Sequence, residues 1–122
     1  MVQTHEKFKL FSRPLNAKQS IAEIAKEIEK WVVEAKAAPK SIGVEYLEGS
    51  HGLLISLGYR DDEGACPVKI HSEAIGKIGT KADLATLEKA MGAAAAKHKK
   101  VICHELFVTE DKDVHMVIMS QA

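Results

Sequence analysis

The sequence predicts an α+β domain: a mostly antiparallel sheet of about six strands with two helices on one face, arranged as two βαββ-like halves. Three observations lead there. The stretch from Val101 to Met119 is apolar at both odd and even positions, as expected of a β-hairpin covered on both sides. Two longer stretches carry apolar residues at helical spacing, around Ile24 and Leu87. The order strand, helix, strand, strand then occurs twice along a chain of 122 residues, a length that suits one domain spanning 1–122 with a single core.

Taken in order, Met1 to Glu6 is polar and reads as a frayed start. Phe8 and Leu10 alternate with Lys7 and Lys9 up to Phe11, a short strand with one apolar face, and Arg13-Pro14 ends it. Ser20 with Glu23 three residues on gives a capping-box start to a helix. Its core stripe is Ile21, Ile24, Ala25, Ile28, Val32 and Ala35, with Trp31 beside it. Pro39 cannot continue that helix. Two strands follow, 41–48 and 53–60, joined through Gly49, Ser50, His51 and Gly52, residue types that accept the backbone angles of a tight hairpin.

Asp61 to Gly64 is a turn, and Val68 and Ile70 alternate with Lys69 and His71 in a further strand whose leading Pro67 suits a sheet edge. Glu73 to Gly79 reads as a loose segment. Thr80 and Asp83 signal a second helix with the stripe Leu84, Leu87, Met91, Ala94, Ala95 and His98, closing in Lys97, Lys99 and Lys100 where cations suit the helix dipole. Gly92 and Ala93 to Ala96 leave little bulk on it, which permits close packing. The last hairpin turns at Glu110 to Asp113.

Shifted by sixty positions, the chain places Ser20 on Thr80, Ile24 on Leu84, Trp31 on Met91 and the first hairpin on the last. Identities at that offset, such as Lys9 with Lys69 and Glu45 with Glu105, are too few to establish a duplication. The repeated element order carries the argument for two halves.

Lysine plus arginine equal aspartate plus glutamate at 17 each, which argues against binding to nucleic acid or an anionic membrane. Only three phenylalanines, two tyrosines and one tryptophan are present, too few for a base-stacking platform. No apolar run approaches the roughly 18 residues of a membrane helix. Two cysteines and no recognisable leader point to a reduced, cytoplasmic protein.

No metal motif emerges from the six histidines: none are paired at i, i+4 on one helix, and Cys66 and Cys103 have no CxxC spacing. A symmetric metal set cannot be drawn either, because at the sixty-residue offset His71 meets Phe11 and His5 meets Ala65. Cys103 and His104 are neighbours on a strand and point to opposite faces, so they cannot form a thiolate–imidazole pair. Asp61, Asp62 and Glu63 lack the spacing of a calcium loop, and Gly76 and Gly79 match no phosphate-binding or dinucleotide fingerprint. The expectation is therefore no catalytic residue, no cofactor and no metal.

The function that follows is a small binding or regulatory protein acting through self-association or a protein partner. A homodimer is expected to cover whichever sheet face the helices leave bare. Two sets on the last hairpin compete for that face: His104, Leu106, Val108, His115 and Val117, or Cys103, Phe107, Val114, Met116 and Ile118. The histidine-bearing set is preferred as the interface, since contact surfaces tolerate polar groups better than a helix-packed core does. Tyr59 and Arg60 form the candidate recognition pair. The alternative is a small-molecule-binding protein or small enzyme with a cavity between paired βαββ halves.

Overall fold

The computed structural model describes residues 6–14, 19–47, 52–79 and 83–122. The capping signal at Thr80, most of the turn at 49–52 and the start of the chain before Glu6 lie outside them, as does the side chain of Ser20. The described chain runs β1 (Lys7–Pro14), α1 (Gln19–Glu34), β2 (Ala38–Leu47), β3 (Gly52–Arg60), β4 (Val68–Lys77), α2 (Asp83–Ala96), β5 (Val101–Val108) and β6 (Asp113–Gln121). The α+β class and the two βαββ-like halves are as the sequence predicts. The strands form two antiparallel sheets of three, ordered β1-β3-β2 and β4-β6-β5, rather than one sheet of six. β2 lies beside β5, so the two sheets meet along those strands.

The helices do not share a face, and this explains the doubly apolar hairpin. Ile24, Ala25, Ile28 and Val32 of α1 form one cluster with Phe11, Ile42, Val44, Leu53, Ile55 and Leu57 of the first sheet. The same cluster takes in Val68, Ile70, Phe107, Val117 and Met119 from one face of the second sheet. Leu87 and Ala94 of α2 cover the other face, through Ile75, Val114, Met116 and Ile118. β6 is the central strand of its sheet with a different helix on each side, so its residues from Met116 to Ser120 are all buried. Both sides of β6 are therefore filled from within the chain, while Leu106 and Val108 on β5 stay exposed.

Two elements extend beyond their sequence-based limits. Ala38 and Pro39 belong to β2, where a register shift between Pro39 and Ser41 accommodates the missing donor. The segment expected to be loose continues β4 to Lys77 across a shift between Ala74 and Gly76. Gly76 adopts φ +145°, and a Cβ there would stand 3.1 Å from the Leu87 side chain. That bulge turns Ile75 into the α2 cluster.

β4 is an edge strand, as Pro67 suggested, and α1 blunts that edge. The Ile70 amide donates to the Glu29 carboxylate at 2.9 Å, so the open edge finds its acceptor inside the chain. The C-terminus of α1 closes with the Ala37 amide donating to the Val32 carbonyl at 3.0 Å and Lys36 in the left-handed region at φ 54°. This is a Schellman-type end with lysine where glycine is the usual choice.

Candidate functional site

β1 inverts the orientation its residue types suggest. Register places Lys7, Lys9 and Phe11 on the core side, opposite Tyr59, Leu57 and Ile55, and turns Phe8 and Leu10 outward. Phe11 is buried, whereas Phe8 and Leu10 are 69% and 61% exposed. The lysines tolerate the inner side because β1 is an edge and their stems reach out of it. Lys9 Nζ lies 6.0 Å from the centre of the Trp31 ring, and Lys7 bonds Asp61 at 2.6 Å.

The outer face of the first sheet is thus a three-stranded surface with a size gradient. Register sets Phe8, Gly58 and Ser41 at one level across β1, β3 and β2. Leu10, Ser56 and Gly43 form the next level, and Ser12, Leu54 and Glu45 the third. The bulky apolar residues stand on β1 and the small ones on β2. Gly43 and Gly58 are held small by close neighbours: an added Cβ would come within 2.7 Å of the Ser56 hydroxyl at Gly43, and would overlap the Ser41 hydroxyl at Gly58. Beside this low ground an open groove of about 290 Å³ is lined by Gly43, Val44, Glu45, Leu54, Ser56 and Glu105. Its floor is small and partly apolar, and its walls carry two carboxylates.

The histidine-bearing set does not form one surface. Phe107 stands opposite His115 and Leu106 opposite Met116, so His104, Leu106 and Val108 share a side with Val114, Met116 and Ile118. His115 and Val117 lie on the other side with Cys103 and Phe107. His104 and His115 therefore face away from each other. Leu106 and Val108 are exposed, but Val117 is 1% exposed inside the α1 cluster and unavailable to a partner. The competing set divides in the same way, with Cys103 and Phe107 on one side and Val114, Met116 and Ile118 on the other.

Tyr59 and Arg60 are engaged within the chain. The Tyr59 ring meets Trp31 edge-on at 4.9 Å, and Arg60 Nε lies 3.0 Å from Asp62 and 3.2 Å from Glu63. Those acidic residues hold the guanidinium charged, and Arg60 in turn holds the Asp62 carboxyl below its ordinary pKa. The acidic turn is thus the counter-charge of Arg60 and also of Lys40, which reaches Glu63 at 2.7 Å.

Cys103 and His104 point to opposite sides, as neighbours on a strand must. Burial pushes the Cys103 thiol above its ordinary pKa, against a smaller opposing effect of the Ile42 backbone, so the protonated thiol is favoured over the nucleophilic thiolate. Among the described residues, no three or more His, Cys, Asp or Glu side chains stand close enough together to hold a metal ion. No described helix is long and apolar enough to cross a membrane.

Two histidines do meet, and sequence spacing gave no sign of it. His71 on β4 and His98, in the turn after α2, stack with ring centroids 3.8 Å apart and planes 22° from parallel. The Ser120 hydroxyl lies 3.3 Å from His71 Nε2. Beside the stack, Lys97 reaches Glu73 at 2.7 Å. The two histidines are 27 residues apart and meet only because α2 folds back over β4.

Comparison with protein families, with curated proteins and with solved structures finds no match to this chain.

Proposed function

We propose that the chain is a binding module that works by associating with a second copy of itself through the outer face of the first sheet. The observation that carries this reading is the exposure of Phe8 and Leu10 on the same face as a run of small residues. Lone exposed apolar residues are ordinary, but two neighbours on a sheet face invite cover.

The face is self-complementary. A two-fold axis running along β3, between two copies set face to face, lays β1 of one copy over β2 of the other and preserves level. Phe8 then sits over Ser41 of the second copy, Leu10 over Gly43 and the Ser12 hydroxyl over the Glu45 carboxylate, each contact occurring twice. Large meets small at both apolar levels, and a donor meets an acceptor at the third. Aligned sheets pack about 10 Å apart at roughly 30°, which fits these side chains without backbone change. Zero formal net charge removes any long-range repulsion between copies. A face of three strands is smaller than a standard interface of roughly 1,200–2,000 Å², so the dimer belongs to the weak, transient class.

Sedimentation velocity at tens of micromolar tests the reading, with expected species of twice the chain mass that revert to monomer in Leu10→Lys. Ser56 lies on the axis and faces its own copy across the gap between the sheets, too far for a direct disulfide, so Ser56→Cys should be joined to the second copy by a short bismaleimide crosslinker to a greater extent than the parent chain. A monomeric parent chain at these concentrations refutes the proposal. A dimer unaffected by Leu10→Lys moves the contact to another surface, such as the open edge of β1.

A further inference from the structure

We infer that the stacked pair His71 and His98 is a pH-sensitive latch that holds the C-terminal end of α2 against the second sheet while both rings are neutral and frees it when they are protonated. The inference is independent of the dimer proposed above.

α2 is lightly anchored. Of its residues only Leu87 and Ala94 are buried, Leu84 is exposed, and a Cβ added at Gly92 would touch nothing within 4 Å. The last turn after Ala96 is tied down by the ring stack and by the bond from Lys97 to Glu73. Of the apolar face that α2 covers, Ile118 stands opposite His71 at that end, while Ile75 and Val114 flank or face Gly76 near Leu87.

The surroundings of His71 favour a neutral ring. On β4, His71 shares its face with Lys69 and Glu73, and on β6 it faces the Ser120 hydroxyl. From the end of α2 come His98 and Lys97, with Lys99 and Lys100 following in the chain. α1 contributes Glu29, a carboxylate that favours a charged His71. Burial first, then His98, with Lys69 adding to both, outweighs Glu29 and lowers the His71 pKa. His104 stands beyond Ile118 on the same side of the sheet, outside the stack. Two imidazolium rings at this spacing, amid lysines, would repel each other directly. The Lys97–Glu73 pair is a second, separate tie at the same end of α2.

Backbone amide hydrogen exchange of the full chain at pH 7.5 and 5.0, corrected for the intrinsic rates, reads the latch. Protection across 83–98 should fall at least tenfold more than protection across α1 on acidification. His98→Phe keeps a ring on His71 and removes one charge, so the excess loss in α2 should disappear. If that variant does not fold, His71→Phe makes the same test from the other side. Glu73→Gln should lower α2 protection at both pH values and leave the pH-dependent fall in place. Equal protection of α2 at the two pH values, a fall of the same size in α1, or an undiminished fall in the phenylalanine variant overturns the latch.

Discussion

Phe107 and His115 stand opposite each other across β5 and β6, their rings stacked with centroids 4.8 Å apart and planes 7° from parallel. This pairing sets the phase of the whole hairpin. It sends Val117 and Met119 to the α1 side and Val114, Met116 and Ile118 to the α2 side, so neither face of β6 is free for a partner.

Lysine at either position should therefore fail in the same way. Val117→Lys and Met116→Lys both place an ammonium in a helix-covered core and should abolish a cooperative thermal transition followed by circular dichroism. Val108→Lys, on the exposed flank of β5, should change stability by less than about 0.5 kcal/mol. A folded Val117→Lys protein would show that the α1 side of β6 is not closed.

The α1 stripe is tested by neighbours in sequence. Ile28 is 0% exposed at the centre of the larger cluster, and Ile28→Ala should cost about 2–5 kcal/mol in urea denaturation. Glu27 lies on the exposed side, where its carboxylate accepts from Arg13 Nε at 3.0 Å. Glu27→Ala should lose no more than about 1 kcal/mol, the upper range for a surface ion pair.

Lys36 carries a side chain through a left-handed backbone conformation at the end of α1. Glycine has no Cβ to strain there, and its larger unfolded-state entropy offsets part of the gain. Lys36→Gly should raise stability by about 1 kcal/mol, seen as a higher urea midpoint at unchanged slope. A lower midpoint would mean that the lysine stem holds the helix end in place.

Acid should weaken the fold before its carboxylates titrate. Burial lowers the pKa of His115, against a smaller opposing effect of Asp113. Above the ordinary histidine pKa of about 6.5 the ring is neutral in both folded and unfolded chains, and stability is flat. Between that value and the lowered folded pKa, the unfolded chain binds a proton that the folded chain does not, so stability falls as pH falls. The urea midpoint should drop between pH 7.5 and 5.5, and His115→Phe, which preserves stacking on Phe107, should reduce the drop. His71 acts with the same sign, so part of the drop should remain.

Periodicity and residue type determined much of this protein. The spacing of Ile24, Ile28 and Val32 makes a one-faced helix wherever it lies, and the two apolar faces of 114–119 require cover on both sides. Pro67 marked β4 as an edge because its missing donor costs least there. Tertiary structure decided what local pattern does not encode. The pairing of Val108 with Val114 across the turn fixes which residues of β5 oppose those of β6, and a slip of one position would exchange side chains between faces. The split into two sheets assigned one helix to each face of β6. On β1, alternation identified Phe8 and Leu10 as one face, yet Phe11 took the core and left them outside. One buried ring beside Trp31 and two lysines able to reach past the sheet edge are compatible with the interior, and that balance exists only once β1 lies against β3.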